Sequence, residues 1–123
     1  MSFKLAVEGE AIAAMPEGER FADIVEPAPT YVKLPDLRDT EKEVEKLLLT
    51  VKIKGENVAE YYPHLTSARF IANRLGTGLE EEDLKKWVGN RIIWGKVLDK
   101  DVFGTIKKVL YVTEVTSIPK KEA

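Results

Sequence analysis

The spacing of apolar residues along this chain predicts five β-strands separated by turns. Apolar and polar residues alternate with the period of two that places apolar side chains on one face of a strand. The predicted strands are Phe21–Leu34, Lys46–Lys54, Val58–Tyr62, Asn90–Leu98 and Thr105–Val115. Prolines inside the first strand predict an edge position, a bulge or a bend, because proline donates no hydrogen bond to a β-ladder. The predicted fold class is therefore mainly β.

The second predicted strand has a helical alternative. Thr40–Glu43 matches a helix capping box, and apolar residues follow it at helical spacing. The β-branched residues Thr50, Val51 and Ile53 favour a strand instead. Gly55–Asn57 then predicts a hairpin turn into the third strand. We therefore predict a strand here, with a short helix before it as the open alternative.

Helical spacing appears between the third and fourth strands. Thr66 predicts the start of one helix, and Gly76 predicts its end. A second helix follows, with acidic residues in its first turn and lysines in its last, until Gly89 ends it. The chain thus has three strands, then helices, then two more strands. This is the order of elements in an OB-fold, a partly open five-stranded barrel. A small mixed α+β sheet with another strand order is the alternative.

The length of 123 residues fits one domain. We expect residues 1–19 to form an N-terminal extension or an extra strand, residues 20–116 the OB-like domain, and residues 117–123 a charged tail. No apolar run approaches the roughly 20 residues of a membrane span, and no signal peptide is visible. The expected location is therefore cytoplasmic.

Composition removes several kinds of chemistry. The chain has no cysteine, and its single histidine, His64, has no second metal ligand at a suitable spacing. We therefore expect no enzyme activity, no metal site and no cofactor. A net charge of −2 means that any nucleic-acid role needs a local basic face. The charged fraction of 33%, built largely from Lys and Glu, is typical of thermophile proteins.

Lysines on the second predicted strand form the first candidate site. Alternation places four polar residues on its outer face, Lys46, Thr50, Lys52 and Lys54. A row of lysines beside aromatic rings suits single-stranded nucleic acid, with charge for phosphates and rings for bases. Tyr61 on the next strand is the candidate ring, with core packing as its alternative. The alternative for the lysines is protection of a strand edge against aggregation.

The last two strands and their loop add further candidates, Arg91, Trp94, Lys96, Phe103, Lys107 and Tyr111. Lys107 and Tyr111 share the face of the final strand that carries fewer apolar residues. Phe103 is an apolar residue in a polar loop, where its ring could stack on a base. Core packing is the favoured interpretation for Trp94, and a stacking pair with Lys96 is the alternative.

Short sequence motifs in the second half of the chain resemble those of a known protein family. The segments are Leu65–Ala68 at a polar helix start, Trp87–Asn90 at a helix end, and the strands Arg91–Val97 and Ile106–Val112. In this order they resemble small OB-like proteins encoded by tailed phages and related elements. The resemblance implies single-stranded nucleic-acid binding or a replication-accessory role, in a viral or archaeal setting.

The expected function is therefore binding of single-stranded DNA, with RNA as the alternative nucleic acid, through charge and stacking and without sequence preference. The protein would not be an enzyme, and its further partners would be a second copy of itself or a replication protein. The competing hypothesis is a protein–protein interaction or oligomerisation module of the same fold. The near-neutral net charge favours this second hypothesis.

Overall fold

Strands make up most of the regular structure in the computed structural model, which describes residues 5–35, 41–102 and 104–118. The strands described are β1 Leu5–Ala6, β2 Phe21–Ile24, β3 Thr30–Pro35, β4 Glu43–Ile53, β5 Asn57–Tyr61, β6 Asn90–Ile93, β7 Lys96–Val102, β8 Thr105–Tyr111 and β9 Glu114–Ser117. The α-helices are α1 Gly9–Ala13, α2 Leu65–Leu75 and α3 Glu81–Leu84. The mainly β class is confirmed, and α2 and α3 lie between β5 and β6.

Seven of the strands form one sheet. Its order is β1-β5-β4-β2-β6-β9, and β3 pairs with β4 outside this path. The pairs are antiparallel except β1 with β5, which is parallel. Within the described ranges, no pairing joins β1 to β9, so the strands there do not close into the predicted barrel. β7 and β8 pair only with each other, as a separate two-stranded sheet.

The segment predicted as one long first strand is divided into β2 and β3. Both pieces pair with the same strand, since Ile24 lies opposite Val51 and Thr30 lies opposite Leu48. The five intervening residues of β2–β3 face only two residues of β4 and therefore bulge from the ladder. The prediction of a proline-containing bend in this strand is confirmed.

The last two predicted strands form one long hairpin that bends partway along. Ile93 pairs with Glu114, and Lys96 pairs with Tyr111 in the same register, so the two halves belong to one ladder. At the break, the amide of Gly95 donates a hydrogen bond to Thr113 Oγ1 at 3.0 Å. A Cβ on Gly95 would lie 2.1 Å from that oxygen, so only glycine fits. Beyond the bend, β7 and β8 project as a two-stranded ribbon, called the ribbon below.

The core lies on one face of the sheet, beneath the helices. Trp87 and Trp94 are both fully buried there, together with Leu49 and Ile71. The indole nitrogen of Trp87 donates a hydrogen bond to Thr77 Oγ1 at 3.0 Å, which satisfies its polar atom. Burying these large apolar side chains supplies most of the favourable free energy of folding.

Helix α2 fastens the bend of the hairpin to the core. The Ser67 hydroxyl, 1% exposed, accepts a hydrogen bond from the amide of Val112 at 3.1 Å. The helix begins at Leu65 with His64 as its N-cap, so the N-cap lies two positions before the predicted N-cap Thr66. Gly76 ends it with a left-handed φ of 69°, as predicted.

Helix α1 packs against the outer part of the same hairpin. A Cβ on Gly9 would lie 2.0 Å from the carbonyl oxygen of Lys108, so the first turn of α1 touches the backbone of β8. Ile12 of this helix is buried in the core. α1 therefore links the ribbon to the body of the protein.

We predict that Gly9→Ala lowers the free energy of unfolding by about 1–3 kcal/mol, because the added methyl group forces α1 away from β8. Urea unfolding monitored by circular dichroism measures the change. Gly18→Ala is the matched control, because a Cβ at Gly18 meets no atom within 4 Å. Equal unfolding midpoints for the two variants would show that α1 does not rest on the ribbon.

Candidate nucleic-acid interface

The ribbon carries its positive charge on one face. Residues directly opposite each other in an antiparallel pair share a face. One face includes the pairs Lys96 with Tyr111, Leu98 with Val109 and Lys100 with Lys107. We call this the basic face. All three lysines are exposed, and in the described part of the chain no carboxylate lies within 4 Å of their amino groups.

The opposite face of the ribbon is mixed in charge. Lys108 lies opposite Asp99, and its amino group donates a hydrogen bond to that carboxylate at 2.8 Å. This hydrogen bond raises the pKa of Lys108. Asp101, on the same face, accepts a hydrogen bond from the amide of Gly104 at 2.8 Å. The acidic residues of the ribbon are therefore separated from Lys96, Lys100 and Lys107.

The pairing of Lys100 with Lys107 is unfavourable for the isolated ribbon. Like charges directly opposite each other on neighbouring strands destabilise the pair. The mixed face shows that this ribbon also accommodates opposite charges, as in Asp99 with Lys108. A bound anion would offset the repulsion between the two lysines.

His64 extends the basic face onto the body of the protein. Its ring lies 5.7 Å from the ring of Tyr111, centroid to centroid, in a tilted stack. Partial burial lowers the pKa of His64, and the positive charges of Lys100 and Lys46 lower it further. Three residues from three strands, Lys46 of β4, Lys100 of β7 and Tyr111 of β8, thus lie near one histidine, and two of them are positively charged.

Sequence reasoning found some of these residues and missed others. Lys46, Lys96, Lys107 and Tyr111 were candidates, and the structure brings all four to the ribbon or to its base. Lys100 was missed, although it follows Lys96 at the even spacing that keeps residues on one face. His64 was expected to be a surface or packed histidine with no metal or catalytic role, and its contact with Tyr111 depends on folding.

Arg91 lies on a different surface and is already engaged. Its guanidinium donates to both carboxylate oxygens of Asp23, at 2.6 and 3.2 Å. The same group lies 4.2 Å from the centroid of the Phe21 ring. Asp23 is 7% exposed, so this is a largely buried ion pair between β2 and β6. We therefore leave Arg91 out of the interface.

The lysine row predicted on β4 does not form one exposed face. Thr50, in the middle of the row, is 4% exposed. Lys54 forms an ion pair with Glu19, and their hydrogen bond raises the pKa of the lysine. Lys52 is half-buried and lies opposite Asp23. The row is interrupted because Thr50 at its centre is buried, and only Lys46 belongs to the interface.

The structure places Tyr61 and Trp94 in the core. The favoured core interpretation of Trp94 is confirmed, and its alternative as a stacking partner of Lys96 is wrong, as is the candidate stacking role of Tyr61. Tyr61 is 5% exposed and Trp94 is 0% exposed. Their rings meet edge to face with centroids 5.2 Å apart. Burial raises the pKa of Tyr61 to about 12. Neither ring can stack on a base from solvent, and the remaining candidate, Phe103, lies outside the described residues.

Comparison with protein-family models, with curated proteins and with solved structures found no match for this chain. The resemblance to OB-like phage proteins therefore stays a prediction. Within the described residues, no helix is long and apolar enough to cross a membrane. The same residues contain no cluster of three or more His, Asp or Glu side chains suited to a metal ion.

We predict that Lys107→Glu raises the free energy of unfolding by about 0.2–1 kcal/mol, because it converts a like-charge pair with Lys100 into an opposite-charge pair. Thermal or urea unfolding measures the change. Lys86→Glu is the control, since it makes the same change in net charge at an exposed position outside the ribbon. A loss of stability specific to Lys107→Glu would contradict the proposed cross-strand repulsion.

We also predict a pH dependence centred on His64. Its folded-state pKa lies below the ordinary value of 6.5, so the unfolded chain binds more protons as pH falls. The stability from neutral His64 is complete above pH 6.5 and is lost as pH falls through the folded-state pKa. An NMR titration of this single histidine should give a lowered pKa, and Lys100→Thr should raise it. An unchanged pKa in that variant would place Lys100 away from His64.

Proposed function

We propose that this protein binds single-stranded nucleic acid, DNA in the first instance, through the basic face of the ribbon and without sequence preference. The observation that carries the proposal is the pair Lys100 and Lys107, held directly opposite each other with no neutralising carboxylate among the described residues. Lys96 on the same face and Lys46 beside His64 extend the positive surface.

The side chains on this face suit a sequence-tolerant contact. Lysine amino groups bind phosphates as point charges on flexible stems. The rings of Tyr111 and His64 offer stacking surfaces, which any base can use. The cross-strand pairs of the basic face contain no Asn, Gln, Asp or Glu side chain to distinguish one base edge from another.

The net charge of −2 is compatible with this role because charge is unevenly distributed. Glu80, Glu81, Glu82 and Asp83 stand together at the start of α3, outside the ribbon. A local basic face attracts a polyanion even where the net charge of the molecule is slightly negative. Local charge, rather than the net value, therefore decides whether phosphate binds.

The strand order supports an OB-like architecture as part of the proposal. If β2 and β3 count as one strand, then β4 and β5 follow it as a meander, and β6 returns beside β2 after the helices. This is the chain order expected of an OB-fold. A replication-accessory role rests on the resemblance described above, and no catalytic step is proposed.

A protein–protein function is the second candidate, and one observation favours it. Ile106 is 60% exposed and Leu98 is 43% exposed, both on the projecting ribbon. Exposed apolar residues on a two-stranded ribbon could pair with a second copy of the chain. In this case the ribbon would be a dimer contact, and the protein would show a concentration-dependent mass.

The test is binding of a fluorescently labelled oligothymidine, followed by anisotropy at several salt concentrations. A label on the strand is needed because Trp87 and Trp94 are fully buried and would not contact the ligand. The double variant Lys100→Ser with Lys107→Ser should weaken binding. It should also reduce the slope of log affinity against log salt by about 1.4, since each lost phosphate contact on a single strand contributes about 0.7.

The matched control is Lys85→Ser with Lys86→Ser, which removes the same charge from exposed positions outside the ribbon. Its salt slope should equal that of the wild type. No salt-dependent binding by the wild type, together with a dimer seen by light scattering, would reject the proposal in favour of the second candidate. Equal slopes for the two double variants would remove the ribbon as the contact surface.

A further inference from the structure

A groove of about 690 Å³ opens beside the basic face, between the β3–β4 pair and the start of α2. Its walls are mostly apolar and aromatic. They include Tyr31, Leu47, Tyr62, Pro63, Leu65 and Leu79. Binding sites for small planar ligands have this character, with few polar groups around an apolar crevice.

The walls of the groove are held in place rather than loosely packed. The hydroxyl of Tyr31 donates a hydrogen bond to the carbonyl oxygen of Leu79 at 2.6 Å, which joins β3 to the segment before α3. Leu47 of β4 is 8% exposed, and Ala68 of α2 is 4% exposed. Both residues belong to the core as well as to the wall of the groove. Leu65 remains 57% exposed at the groove, although it is a large apolar residue.

The groove is continuous with the basic face through His64. The histidine lines the groove and also stacks with Tyr111 of the ribbon. Lys46 lines the groove and lies close enough to His64 to lower its pKa. Positive charge is thus found where the groove meets the ribbon.

We propose that this groove receives an unstacked nucleobase from the strand whose phosphates lie on the basic face. The inference rests on the proposed function and extends it with a second site of different chemistry. Tyr31, Tyr62 and His64 offer rings to a planar base, which is neutral and largely apolar on its faces. Lys46 at the rim can hold the phosphate attached to it.

The charge at the groove favours a base over an acidic peptide. Glu45 lines the groove together with Lys46, so a carboxylate or phosphate placed inside would meet a like charge. A base has no charge to be repelled, and its amino groups can donate to the Glu45 carboxylate. Phosphates therefore stay on the lysines of the ribbon, and only the base enters.

The groove also gives a physical basis for choosing single strands. A base in a duplex is paired and stacked, so reaching the groove would require breaking both interactions. The ribbon alone would bind any phosphate chain, including a duplex. The groove adds affinity only where bases are free.

The experiment compares two labelled strands of equal length and charge, an oligothymidine and an abasic strand with the same phosphates. Wild-type protein should bind the oligothymidine about tenfold more tightly for one accommodated base. Leu65→Ser and Tyr62→Leu should each bring this ratio toward one and leave the affinity for the abasic strand unchanged. Leu65→Ser replaces a side chain that is 57% exposed, so the fold should be retained.

Val58→Ser is the matched control, because Val58 is an exposed apolar residue of β5 outside the groove. It should keep the wild-type ratio. The inference about the groove would be overturned if wild-type protein bound the two strands equally, or if the groove variants did not lower its preference for oligothymidine. Salt-dependent binding of both strands would in that case still support the ribbon as the contact surface. Salt-independent or absent binding of both strands would overturn the proposed function and the inference together. A dimer that Leu65→Ser dissociates would assign the groove to a second copy of the chain.

Discussion

The contact of Gly95 with Thr113 determines how the rest of this structure is arranged. The amide of Gly95 donates to Thr113 Oγ1, and the threonine side chain occupies the space that any Cβ at residue 95 would need. The long hairpin bends at this point without losing its register, because pairs on both sides of the bend belong to one ladder. Ser67 then ties the adjacent Val112 to helix α2. The bend separates strands that build the core from strands that project into solvent.

This division explains which residues are available to a ligand. On the core side of the bend, Trp94 is fully buried against Tyr61, and Arg91 is held by Asp23. On the outer side, Lys100 and Lys107 are exposed and opposed. Basic and aromatic residues that look equivalent in the sequence therefore differ in their access to a ligand, because the hairpin passes from the core into solvent at the bend.

The outer side contains features that stability alone does not account for. Three features of this side each cost free energy in the isolated protein. They are the opposed lysine pair, the exposed Leu98 and the solvent-open aromatic groove. They lie next to one another around His64, whereas the ion pair of Lys108 with Asp99 is on the other face of the ribbon. Their concentration on one side is the physical reason for proposing a polyanion with free bases as the ligand.

Four features of the fold follow from the sequence, because alternation, proline and glycine act locally. They are the mainly β class, the bend near Pro27 and Pro29, the turn after Ile53 and the helices before Gly89. The shared face of Lys107 and Tyr111 was also predictable, because alternation along one strand assigns both residues to it. Lys96 joins that face only through its pairing with Tyr111 on the neighbouring strand.

Tertiary structure alone decided which faces are exposed. Alternation does not reveal that Thr50 is covered, that Arg91 meets Asp23 from 68 residues away, or that His64 reaches Tyr111. The break at Gly95 likewise depends on Thr113, a residue that is 18 positions distant and is brought near only by the hairpin. Periodicity specifies which residues share a side of a strand, and long-range packing specifies whether that side meets the core, an ion-pair partner or solvent.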